Sequence, residues 1–139
     1  MSKRNILYPS VDPLNYLDLA KELASRLETC TLRTAVDRIY YATFLFCRDN
    51  LAAKNYILPK YASEDHLDVT NALRRRNVLG SLGNEEYRLH RARNCTTYNT
   101  NDLIEGKSND ICTIDWMFNT AKEIIKRVEA LPVNPSGMK

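Results

Sequence analysis

Between Ile114 and Val128 the apolar residues Ile114, Met117, Phe118, Ala121, Ile124, Ile125 and Val128 fall 3, 1, 3, 3, 1 and 3 positions apart. That spacing gathers side chains on one face of a helix. Such a helix is not stable alone, because its stripe must be buried against other elements. No stretch of the chain alternates apolar and polar residues with a period of two, and no internal repeat of about 20 to 50 residues occurs, so the partners are expected to be helices too.

Four further helices can be placed. Residues 1–11 read as an irregular arm. Asp12-Pro13 then supplies an N-cap and a proline suited to the first helical position. Leu14, Leu17, Ala20, Leu23, Ala24 and Leu27 follow at helical steps, and this helix is expected to end near residues 28–31. The second helix, about Leu32 to Ala53, is apolar on most sides and belongs in the middle of a bundle. Its polar exceptions Arg33, Asp37, Tyr41 and Arg48 lie on one stripe, which either forms an internal ion pair of Arg33 with Asp37 or opens onto a groove between subunits.

Residues 54–62, with Pro59, read as a loop, and a third helix is expected from about Ser63 to Leu79, closed by Gly80. Ser81-Leu82-Gly83-Asn84 reads as a turn, with Asn84 as the cap of a fourth helix from Glu85 to about Tyr98. Residues 99–109 are rich in Asn, Asp, Gly and Ser and read as a loop, with Ser108 or Asp110 capping the last helix. Pro132 ends that helix, and 132–139 form a tail with no evident reason to be ordered. The expected fold is an all-α, up-and-down antiparallel bundle of four to five helices over residues 12–131, in one domain.

Composition removes several classes of function. The 4 cysteines, Cys30, Cys47, Cys95 and Cys112, form no C-x-x-C pair and read as buried thiols, and with only 2 histidines a metal or other cofactor is not expected. The N-terminus has no apolar leader and no run is long enough to span a bilayer, so the cytoplasm is the expected home. Without a secretion signal the formal glycosylation site Asn94-Cys95-Thr96 carries no weight. There is no G-x-S-x-G, phosphate loop or H-E-x-x-H.

What stands out is local basicity. Six arginines lie between Arg74 and Arg93 against the two acids Glu85 and Glu86. Guanidiniums at that density can hold phosphates bidentately, or simply form a solvated charged face. The helix that carries Arg88, Arg91 and Arg93 is also poor in large aliphatic residues, so packing alone does not account for it.

The run from Arg33 to Phe44, Arg-Thr-Ala-Val-Asp-Arg-Ile-Tyr-Tyr-Ala-Thr-Phe, resembles the second helix of HEPN domains. Leu89 followed by Arg93-Asn94-Cys95-Thr96-Thr97-Tyr98 is similar to that family's R-N-x-x-D-Y variant of its R-x4-6-H motif. The resemblance spans about residues 12–131. It implies a homodimer in which two copies of the motif helix face each other across a cleft that, in active relatives, cuts RNA without a metal. Arg93 would hold the scissile phosphate, Asn94 would orient Arg93 or a phosphate oxygen, and Tyr98 takes the position of the histidine. Asp37, Arg38 and Tyr41 would line the cleft floor, with a buried ion pair and a packed phenol as the alternative, and Arg91 and His90 would lie nearby.

A tyrosine is a poor proton acceptor at neutral pH, because phenols titrate near 10. His90, one helical turn before Arg93, is the nearest substitute in sequence, but its expected place is the surface, and His66 is undecided. The implied function is an RNA-binding, metal-independent endoribonuclease, a toxin or defence component. The alternative is a non-catalytic nucleotide- or RNA-binding module working beside a nucleotidyltransferase-type partner or antitoxin. A plain interaction bundle is the third possibility.

Overall fold

The computed structural model describes residues 12–75, 80–98 and 114–135, with only the backbone described for Thr29, Gly80 and residues 95–98. Among the described residues there are five α-helices and no strand: α1 Pro13–Ser25, α2 Thr29–Ala53, α3 Glu64–Arg75, α4 Gly80–Tyr98 and α5 Ile114–Glu129. No helix among the described residues is long and apolar enough to cross a membrane. The arm 1–11, the loop 99–109 with its two candidate caps, and residues 136–139 lie outside the described residues.

Helix α1 begins where its sequence signals place it. The Asp12 side chain accepts the Leu14 amide at 3.1 Å and Pro13 occupies the first turn. It ends at Ser25, earlier than expected, because Leu27 turns the chain with a φ of 61°. Thr31 then donates its hydroxyl to the Glu28 carbonyl and accepts the Glu28 amide, which sets the start of α2 at Thr29.

Helix α2 is the axle. Ala35, Val36, Ile39, Tyr40, Ala42, Phe44, Cys47 and Leu51 are all buried, and α1, α3, α4 and α5 all pack on it. Leu32 at its start shares a cavity lining with Ile114 and Phe118 of α5, while Lys54 at its end donates to the Val128 and Glu129 carbonyls. The two helices therefore run in the same direction. By contrast α4 runs antiparallel to α2, as Asp37 meets Arg93 and Tyr40 meets His90, and α3 and α4 form an antiparallel hairpin.

Several expectations are corrected here. Gly80 does not close α3; it starts α4, and 81–84 are helical, not a turn. A Cβ on Gly83 would sit 2.8 Å from the Arg74 backbone nitrogen, so this glycine is required by the close approach of α3 and α4. Asn84 is consequently no N-cap, and its side-chain oxygen accepts the Arg74 Nε–H at 2.9 Å. The start of the tail is also tied down. The Asn134 amide donates to the Lys54 carbonyl at 2.8 Å and Tyr56 donates its hydroxyl to Pro132. Of the cysteines, Cys47 is buried as expected but Cys30 is exposed, and the side chains of Cys95 and Cys112 lie outside the described set.

Candidate functional site

The half-buried positions of α2 form the floor of the candidate site. Arg33, Asp37, Tyr41 and Arg48 are all partly buried, as one stripe shared between core and solvent requires. The carboxylate of Asp37 takes Arg93 and Arg38 as its partners, in place of the expected pair with Arg33. Its Oδ1 accepts Nε–H of Arg93, from α4, at 2.8 Å, and its Oδ2 accepts Nε–H and Nη2–H of Arg38. The two guanidiniums keep 24% and 29% of their side-chain surface, so one carboxylate holds two cations at the protein's rim.

Electrostatics follow from that geometry. Burial pushes the Asp37 carboxyl up, but the hydrogen bonds from Arg93 and Arg38 outweigh it and leave the group below its usual range. Asn94 offers Oδ1 to Arg93 Nη1 at 3.3 Å, so the asparagine steadies the arginine. Arg38 is further fixed by two rings: its guanidinium lies 5.3 Å from the centroids of both Tyr16 and Tyr41. Tyr41 is itself packed edge-on against Tyr16. Arg91 is exposed on the next face of α4. The side chain of Tyr98 lies outside the described atoms, so its relation to this cluster is not part of the site's geometry.

Beside the charge cluster stands a feature that sequence reasoning missed. His90 is not on the surface; it is half-buried, its ring stacked on Tyr40 at 4.8 Å and 9° and lying 5.0 Å from the ring of His66. His66 stacks in turn on Phe44 at 3.9 Å. Asp65 aims α3 to deliver this ring. Fully buried, it accepts the Lys60 and Tyr61 amides at 2.8 Å each and so fixes the turn into the helix.

Burial, with the charges of His90 and Arg93, lowers His66 to about 4, and burial with Arg93 lowers His90 as well. Both imidazoles are thus neutral at pH 7. Burial, reinforced by Glu86, pushes the Tyr40 phenol far up, so Tyr40 keeps its proton, and its hydroxyl shares a hydrogen bond with His66 Nδ1.

The stack rests on a buried polar layer. Thr70 donates to Glu86, whose other oxygen, Oε2, has no hydrogen-bond partner. Burial raises this carboxyl to about 7 despite the Thr70 hydrogen bond and the charge of Arg74. Glu86, His90 and Arg93 lie 4 and 3 residues apart, so one face of α4 carries a neutral-leaning acid, a neutral imidazole and a guanidinium from core to rim. The spacing carries the signal for this face, but a helix begun at Glu85 leaves Glu86 in its first turn, whereas α4 begins at Gly80.

Chemically, the arrangement can hold an anion at the Arg38–Arg93 rim and move a proton at an adjacent imidazole. Comparison with protein-family models, with curated proteins and with solved structures gives no match for this chain.

Proposed function

We propose that this chain is an RNA-binding protein of the HEPN type that cuts RNA without a metal, at a cleft where α4 of one copy faces α4 of a second, acting in the cytoplasm as a toxin or defence component. The observation that carries the reading is Asp37 gathering Arg38 and Arg93 from two helices into one half-exposed cluster. One carboxylate against two guanidiniums leaves a net positive charge at the rim, and the fixed guanidiniums need little reorganisation to meet a phosphodiester. The Asn94 oxygen on Arg93 supports the orienting role that the motif implies for this asparagine.

The test is incubation of the purified protein with labelled single-stranded RNA in EDTA, beside Arg93→Ala. The expected result is cleavage by the wild type that EDTA does not suppress and that Arg93→Ala loses. Equal cleavage by both proteins overturns the assignment of Arg93. Light scattering decides the dimer.

A second reading has a specific observation in its favour. The Nε of Arg93 is engaged by a carboxylate, which weakens its hold on an incoming anion, and position 98 carries tyrosine where a histidine base is required. Both fit a non-catalytic nucleotide- or RNA-binding module working beside a nucleotidyltransferase-type partner. Salt-dependent RNA binding without cleavage supports this reading, and absence of binding at low salt removes both.

A further inference from the structure

Metal-independent cleavage requires a neutral proton acceptor beside the group that holds the phosphate. Arginines cannot fill that post, since they stay protonated. Two imidazoles lie in the right region, and their hydrogen bonding tells them apart. His66 has its Nδ1 engaged by the Tyr40 hydroxyl. His90 has no hydrogen-bond partner among the described residues; its contacts are the rings of Tyr40 and His66. It lies one turn before Arg93 on the same face of α4.

We propose that His90 is the general base of this site, its ring held against Tyr40 and His66 so that a nitrogen lone pair lies beside Arg93. The inference rests on the ribonuclease reading above. His90 takes the proton of a ribose 2′-hydroxyl; the 2′-oxygen forms its bond to phosphorus while the bond from phosphorus to the 5′-oxygen breaks. The departing 5′-oxygen takes a proton from water, and the hydroxide so formed recovers the proton from His90. The products are a 2′,3′-cyclic phosphate and a 5′-hydroxyl end. Arg93 on its own helix, Tyr40 on α2 and His66 on α3 are the charged and titratable groups that face the ring. Of these, Arg93 opposes a second positive charge and so keeps the lone pair available at neutral pH.

The deciding experiment compares wild type, Arg93→Ala, His90→Ala and His90→Phe on a labelled single-stranded RNA of mixed sequence in EDTA, with RNA affinity and circular dichroism measured alongside. His90→Phe keeps a ring against Tyr40 and guards against collapse of the stack. Both His90 variants are expected to bind RNA as the wild type does and to lose cleavage by about 100-fold or more. Added imidazole is expected to restore part of the activity of His90→Ala and none of that of Arg93→Ala, a rescue that a purely structural role would not show. The wild-type rate is expected to fall to half only at a pH below 6.5, the ordinary imidazole value. A fully active His90→Phe beside an inactive Arg93→Ala overturns the base and leaves the RNA reading standing. Absence of cleavage by the wild type overturns both.

Discussion

Asp37 and Arg93 stand 56 residues apart in sequence, yet Oδ1 of one accepts Nε–H of the other at 2.8 Å. The pair joins α2 to α4 at the rim of the core, and with Arg38 it forms the only cluster among the described residues in which one carboxylate serves two arginines.

Removing that carboxylate should therefore cost stability as well as order. For Asp37→Ala we expect a loss of about 1–2 kcal/mol at pH 7, below the range for a fully buried pair because solvent still reaches the cluster. The folded pKa of Asp37 is lowered, so its contribution is present above the unfolded value of 3.8 and is lost as pH falls through the folded one. Urea denaturation of both proteins at pH 7 and near pH 3 checks this: the gap should be full at the first and reduced at the second.

Gly83 gives a prediction opposite to helix propensity. In a helix interior Gly→Ala ordinarily adds about 1 kcal/mol of stability. Here the new methyl would lie 2.6 Å from Arg74 Cγ and 2.8 Å from the Arg74 backbone nitrogen, so α3 must move away from α4. We expect Gly83→Ala to destabilise by roughly 1–3 kcal/mol. Ser81→Ala, exposed on the same helix, should change little or stabilise slightly. Thermal melts of the two variants decide the matter, and a stabilised Gly83→Ala would show that the helices have room to spare.

That glycine also shows where sequence reading fails. Asp12-Pro13, the apolar run of α2 and the stripe from Ile114 to Val128 are local patterns, and each produced the helix expected of it. A glycine followed by asparagine signals a turn by the same local logic. Its actual cause is Arg74 on another helix, which no spacing within 80–86 reveals. The site divides the same way. Asp37, Arg38, Arg93 and Asn94 were legible from motif and spacing, and the structure brings them together. The meeting of His66 with His90 depends on α3 being aimed by Asp65, a long-range fact. The anchoring of Asn134 by the end of α2 is another.

Glu86 should make the protein less stable as pH rises. It is buried beneath the imidazole stack with Oε2 unpartnered, and its carboxyl titrates at about 7 in place of the ordinary 4.5. A group whose folded pKa is raised contributes fully below its unfolded value and loses that contribution as pH climbs through the folded one. The window is therefore pH 4.5 to 7, and the shift of 7 − 4.5 = 2.5 units corresponds to about 3 kcal/mol at 1.36 kcal/mol per unit. Glu86→Gln keeps the shape and cannot ionise. Chemical denaturation of both proteins should find them nearly equal at pH 4.5 and the glutamine variant more stable, by about 2–4 kcal/mol, at pH 8. A difference that does not grow with pH would mean that Glu86 ionises in place without penalty, with water or a cation reaching Oε2.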